Sequence, residues 1–130
     1  MEKIILSGSA IIENDKLLLI YKKNQDHYEF PGGKVEENET LEEAAIRETK
    51  EEIGCEIEII KYLGYIDFTI NNKEFRSHNF LSKIKNNQEP KIIEKDKFNN
   101  MIWLDLNEYN NNSNQIKLAP NVKGFITTLK

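Results

Sequence analysis

Glu48, Glu51 and Glu52 stand at i, i+3 and i+4 in a segment whose pattern predicts a helix. That spacing puts three carboxylates at neighbouring positions on one helix face. Exposed like charges so placed repel by roughly a few tenths of a kcal/mol per pair. They also fall in the last turns, where the helix dipole already presents partial negative charge. A local arrangement that works against the helix calls for a compensating partner, and a divalent cation is one. Hard oxygen donors with no His or Cys beside them suit Mg²⁺ or Mn²⁺ rather than zinc. Bound ions of this kind activate water and neutralise phosphate charge. The competing reading is a solvated acidic face, with Arg47 paired to Glu43 or Glu51 and Lys50 as a further countercharge.

The sequence upstream bears on that choice. Gly32 and Gly33 form a Gly-Gly turn about fifteen residues before the acidic face, and such a turn lets main-chain groups approach a ligand closely. Written out, the stretch is Gly33, five residues, Glu39, seven residues, then Arg47, Glu48, Thr49, Lys50, Glu51, Glu52, Ile53, Gly54 and Cys55. It resembles the Nudix box, with every fixed position present at the right spacing over residues 33–55. Thr49 and Cys55 occupy positions that the pattern gives to bulky aliphatic residues, a departure that bears on packing rather than chemistry.

The resemblance implies a hydrolase of nucleoside diphosphates linked to a further group, working with Mg²⁺ or Mn²⁺. Glu48, Glu51 and Glu52 would be metal ligands or the base that activates water, with Glu48 as the favoured base. The Gly32 carbonyl would add a main-chain ligand, and Glu94 an acid from a later loop, unless it is a solvated loop carboxylate. Arg47 would orient the glutamates, paired with Glu39. Glu29, Phe30, Pro31, Gly32, Gly33 and Lys34 resemble the corresponding segment of MutT-type (d)NTP pyrophosphohydrolases, some of which clear oxidised guanine nucleotides. Lys23, Gly33 and Lys34 would then meet substrate phosphates, although Lys23 reads equally well as an ordinary solvated lysine. Leu118, Ala119, Pro120 and Asn121 resemble the segment whose Asn reads the purine edge. The other reading of Asn121 is a helix cap. Tyr28, Phe75 and Phe80 are candidates to stack on a base, unless they are core. The alternatives are a Nudix hydrolase acting on ADP-ribose or a nucleotide sugar, and a non-catalytic nucleotide-binding module. Intact box glutamates weigh against the latter.

These residues need elements to position them. Residues 3–12 and 17–21 predict two strands joined by a turn, and 28–30 a short extended piece stopped at Pro31. Thr40 and Glu43 make a capping box for the acidic helix, which Gly54 ends. Residues 55–62 alternate as a strand. Segments 65–70 and 74–84 flank Asn71, Asn72 and Lys73 as a hairpin. Residues 85–99 read as loop, 101–104 as a strand and 107–114 as a polar surface loop. Val122, Phe125, Ile126 and Leu129 stand at i, i+3, i+4 and i+7 of a terminal helix that Gly124 weakens. The mixture predicts an α/β chain, residues 1–130 forming one domain with a mixed sheet between helices. By resemblance this is the Nudix α/β/α sandwich.

Composition sets the outer bounds. The chain has 130 residues and a net charge of −4, with 17 Glu, ten of them within 36–58. A net negative chain without basic runs is a poor match for long nucleic acid. One Cys excludes an internal disulfide framework. No apolar stretch approaches the roughly 20 residues of a membrane span, and residues 1–12 lack the basic start of a signal peptide. A cytoplasmic protein, monomer or homodimer, with a small nucleotide as substrate is the expectation.

Overall fold

The computed structural model of the chain describes residues 2–109 and 116–129. Its elements are β1 (Ile4–Glu13), β2 (Lys16–Lys22), β3 (His27–Glu29), β4 (Gly32–Lys34), α1 (Leu41–Ile53), β5 (Ile57–Ile70), β6 (Lys73–Ile84), β7 (Phe98–Asp105) and α2 (Pro120–Phe125). A 3₁₀ turn, Ile126–Leu129, follows α2.

β1 is the spine of the sheet. It runs parallel to β6, while β2, at the end of β1, and β4, nearer its start, pair with it antiparallel. β5 pairs with β6, and β3 and β7 with β2, all antiparallel. Two hairpin turns set these registers. Asn14 and Asp15 turn β1 into β2, and Asn71 and Asn72 turn β5 into β6, all four with positive φ between 50° and 65°. Two-residue turns of that hand match the twist of paired strands, and Asn and Asp tolerate the conformation.

The apolar run of β2 is buried on both faces. Leu17 and Leu19 enter one core with Ala10, Phe30, Val122, Phe125 and Ile126 of the α2 side. Leu18 and Ile20 enter the other with Ile11, Ile53, Cys55, Ile57 and Phe98 of the α1 side. A mixed sheet between helices is therefore what forms, as the sequence pattern predicts.

Several boundaries differ. Gly32 and Gly33 are not only a breaker: they form β4, with Gly8 opposite Gly32. Neither backbone carries a Cβ, and one at Gly32 would lie 2.6 Å from Gly8 Cα. Segments 55–62 and 65–70 merge into one strand, kept continuous by irregular register around Lys61 and around Gly64, whose φ is 121°. β7 begins at Phe98, inside the expected loop. The terminal helix is α-helical only to Phe125, and Gly124 has a packing reason there, since a Cβ would meet Ile66 Cδ1 at 1.7 Å. Of the expected polar loop 107–114, residues 110–114 lie outside the described residues.

Candidate active site

The acidic helix is anchored at both ends. Thr40 Oγ1 accepts from the Glu43 N–H at 3.0 Å, and Glu43 Oε1 accepts from the Thr40 N–H at 2.8 Å. Ser7 Oγ donates to the Leu41 carbonyl at 2.6 Å. Gly54, with φ 73°, closes the helix through its N–H to the Lys50 carbonyl. The loop before β7 satisfies the last carbonyls: the N–H groups of Lys91 and Ile93 donate to Ile53 and Glu52. That docking carries Glu94 to the end of α1, where its charge acts on Glu52.

Arg47 organises the carboxylates. It grips Glu39 with two bonds, Nε to Oε2 at 2.6 Å and Nη2 to Oε1 at 3.0 Å. Nη1 reaches Glu48 at 3.2 Å and both oxygens of Glu51 at 3.3 Å. Nη2 also donates to the Lys34 carbonyl at 3.0 Å, tying α1 to β4. A planar fork with several fixed donors can hold three acids at once in a way an ammonium could not.

Glu48 and Glu52 occupy unusual places. The Glu48 carboxylate lies in the space a side chain at Gly33 would need, 2.5–2.6 Å from an ideal Cβ there. Burial pushes the Glu48 carboxyl up, against the pull of Arg47. Glu52 is buried, 4% exposed, and Oε1 accepts from the Gly32 N–H at 2.9 Å. Burial raises its carboxyl well above the usual range, the Gly32 N–H opposes this, and Glu29, Glu48 and Glu94 add to the rise. A buried and a half-buried acid beside further acids make a place where a cation would relieve the mutual repulsion.

Among the described residues no three Asp, Glu, His or Cys side chains are drawn together as a finished metal cage. The contacts show why: Glu51 faces Arg47, and Glu52 is held on the Gly32 N–H. The donor set still fits a hard divalent cation, being all oxygen and crowded, with a recess at Gly33 that only a hydrogen leaves open.

A cleft with a volume of about 140 Å³ opens beside these groups. Glu29, Gly32 and Gly33 form its acidic end, and Phe68, Ile70, Phe75 and Leu6 an apolar wall. Asn121 lines it from α2. It is not the helix cap, a position held by Ala119 without a side-chain bond.

Other expected residues fall elsewhere. Lys23 does not line the cleft, while Lys22 does: β2 ends at Lys22, and Lys23 lies in the turn that follows. Lys34 is exposed and offers the site its carbonyl, to Arg47. Tyr28 packs edge-on against Tyr21, and Phe80 is buried beside Tyr62, so neither lines the cleft. Phe75 does, stacked on Phe68 at 5.3 Å. Phe68 was legible in principle, because a two-residue turn at Asn71 and Asn72 places residues 68 and 75 opposite each other. Glu29, bonded to His27 Nε2 at 2.9 Å, is a further acid of the site with no role assigned from sequence.

The fold and this glutamate-bearing helix define a Nudix domain. The chain belongs to that family, its NUDIX domain covering residues 6–128. It is 60% identical over 57 residues to an 8-oxo-dGTP diphosphatase of Proteus vulgaris, covering 41% of this chain and 51% of that protein. It is 40% identical over 63 residues to an 8-oxo-dGTP diphosphatase of Buchnera aphidicola, covering 48% and 49%. The chain thus spans about half the length of these curated relatives. The crystal structure of a MutT NUDIX hydrolase from Burkholderia pseudomallei shares the fold, with a TM-score of 0.88 over 100% of both chains at 23% identity. No helix among the described residues is long and apolar enough to cross a membrane.

Proposed function

We propose that the chain is a divalent-metal-dependent nucleotide pyrophosphohydrolase of MutT type, converting a nucleoside triphosphate and water to the monophosphate and pyrophosphate. The observation that carries this reading is the Glu48 carboxylate. It is pressed against Gly33 at the acidic end of an apolar cleft and steered by an arginine shared with Glu39 and Glu51. The similarity to two 8-oxo-dGTP diphosphatases supports the nucleotide class, and makes an oxidised purine triphosphate the first substrate to try.

Glu48, Glu51 and Glu52, with the Gly32 carbonyl and Glu94, would hold the cation. When bound, Mg²⁺ or Mn²⁺ supplies charge to offset the phosphates and lowers the pKa of coordinated water. Glu48 takes the proton as water adds to the anhydride and pyrophosphate departs. A carboxylate in a half-buried position is a stronger base than a solvated one, which suits that duty. Arg47 sets the direction of Glu48, and Glu39 keeps Arg47 in place. The apolar wall of Phe68 and Phe75 takes the base, and Asn121 meets its polar edge with an amide that can both donate and accept. Lys22 is the cleft cation that meets the triphosphate. The acid excess read from composition is in this reading a cation trap, so the small anionic substrate is met by the metal.

The test is a panel of nucleoside di- and triphosphates, 8-oxo-dGTP, ADP-ribose and nucleotide sugars with Mg²⁺ or Mn²⁺, following phosphate and pyrophosphate release. Turnover confined to the triphosphates is expected. Efficient cleavage of ADP-ribose or a nucleotide sugar with inert triphosphates would replace the reading with the other hydrolase class.

A further inference from the structure

Asn79 carries a side chain that the proposed chemistry leaves unused. It lies in β6 at 0% exposure and does not line the cleft. An amide taken out of water is costly unless its polar atoms find partners. A leucine would fill a similar volume without that cost, so the partners of this amide carry its meaning.

They form a chain with a direction. Asn79 Nδ2 donates to the main-chain carbonyl of Ser77 at 2.9 Å. Asn79 Oδ1 accepts from Asn121 Nδ2 at 3.1 Å. Asn121 Oδ1 accepts from the main-chain N–H of Val122 at 3.0 Å. Ser77 Oγ stands at the edge of the chain, 3.4 Å from Asn79 Nδ2 and 3.5 Å from Asn121 Nδ2.

Both ends are main-chain groups that cannot change sign: the Val122 N–H only donates and the Ser77 carbonyl only accepts. Turning over the Asn121 amide alone sets donor against donor at Val122 and acceptor against acceptor at Asn79. Turning over both amides sets Asn79 Oδ1 against the Ser77 carbonyl. Every alternative loses at least two bonds. An amide offers two N–H donors and two acceptor lone pairs, and the chain uses one of each on Asn121. One acceptor lone pair remains at the cleft wall, and the second N–H meets only the long contact to Ser77 Oγ at 3.5 Å, which a base acceptor can replace, so the order of donor and acceptor is fixed.

We propose that Asn79 is a positioning residue for selection of the nucleotide base: from inside the sheet it locks the polarity of the Asn121 amide. This rests on Asn121 meeting the base, as read above. β6 pairs with the spine strand β1 from Phe75 to Ser82 and with β5 on its other side, so the lock is referred to the interior of the sheet rather than to α2 alone. Without it the Val122 N–H alone orients Asn121, a weaker hold that lets the base meet a mixture of donor and acceptor arrangements.

The test compares steady-state kinetics on purine and pyrimidine triphosphates for Asn79→Leu, Asn121→Ala and the double variant. Asn79→Leu is expected to raise KM for purine substrates about tenfold, the size of one misdirected hydrogen bond. The loss should fall on KM rather than kcat and spare pyrimidines, a pattern that general loosening of the fold does not produce. The double variant should be no less selective than Asn121→Ala, because both changes act through one amide. Unchanged selectivity in Asn79→Leu, with selectivity lost in Asn121→Ala, overturns the positioning role and leaves the base contact standing. Unchanged selectivity in Asn121→Ala overturns the base contact, and the positioning role with it. Side-chain amide NMR of the parent protein gives a check that needs no variant at position 79 to fold. The Asn121 signal, identified by its loss in Asn121→Ala, should show one slowly exchanging Nδ2 proton; two fast ones contradict the lock.

Discussion

At the scale of single residues, the site depends on where one carboxylate is allowed to sit. Glu48 occupies the volume that a Cβ at Gly33 would take. Gly33→Ala therefore acts on chemistry more than on folding, since the nearest atoms belong to a side chain that can swing away. A displacement of about 1 Å in a reacting group can cost roughly 10²-fold in rate. Gly33→Ala is expected to lose activity on that scale while keeping its denaturation midpoint close to the parent's; full activity would show that the Glu48 position is not critical. Arg47 is the other determinant, because one guanidinium meets Glu39, Glu48 and Glu51 together. The box spacing made these residues legible as a set. The facing of Lys22 was not legible, since it depends on where β2 ends, and the Glu29–His27 pair, at i and i+2 of β3, was hidden because the extended piece reads as starting at Tyr28.

At the scale of elements, the caps and periodicity of α1 were plain in the sequence, and Thr40, Glu43 and Gly54 form the contacts that their types imply. The strand ends were less plain. Gly32 and Gly33 look like a turn by residue type, yet they pair because Gly8 stands opposite and lets the two backbones close. The Gly124 position reads as a weakness in α2 until Ile66 is seen filling the space above it. Thr49 is the clearest local conflict. It is fully buried on α1, and its Oγ1 has no hydrogen-bond partner. A buried hydroxyl so left costs on the order of 1–3 kcal/mol, and valine keeps the shape without it. Thr49→Val is expected to stabilise the protein by about 1 kcal/mol in urea denaturation, with turnover unchanged. A loss of stability would show that the hydroxyl finds a partner after all.

At the scale of the whole molecule, the ten glutamates within 36–58 give the chain a lopsided charge. Two of them, Glu48 and Glu52 of α1, are joined by Glu29 from β3 and Glu94 from the loop before β7, whose charges act on Glu52. A cation that binds this folded arrangement and not the unfolded chain must stabilise the fold. Millimolar Mg²⁺ is expected to raise the thermal midpoint, EDTA to reverse the shift, and Glu48→Gln with Glu52→Gln to abolish it; a midpoint indifferent to Mg²⁺ in the parent would count against a metal site here. The most direct test of the central claim is ³¹P NMR of a nucleoside triphosphate incubated with Mg²⁺ and either the parent protein or Glu48→Gln. Equimolar nucleoside monophosphate and pyrophosphate are expected from the parent, with the rate at least about 10²-fold lower in Glu48→Gln. Release of orthophosphate and nucleoside diphosphate, or equal rates in the two proteins, would contradict it.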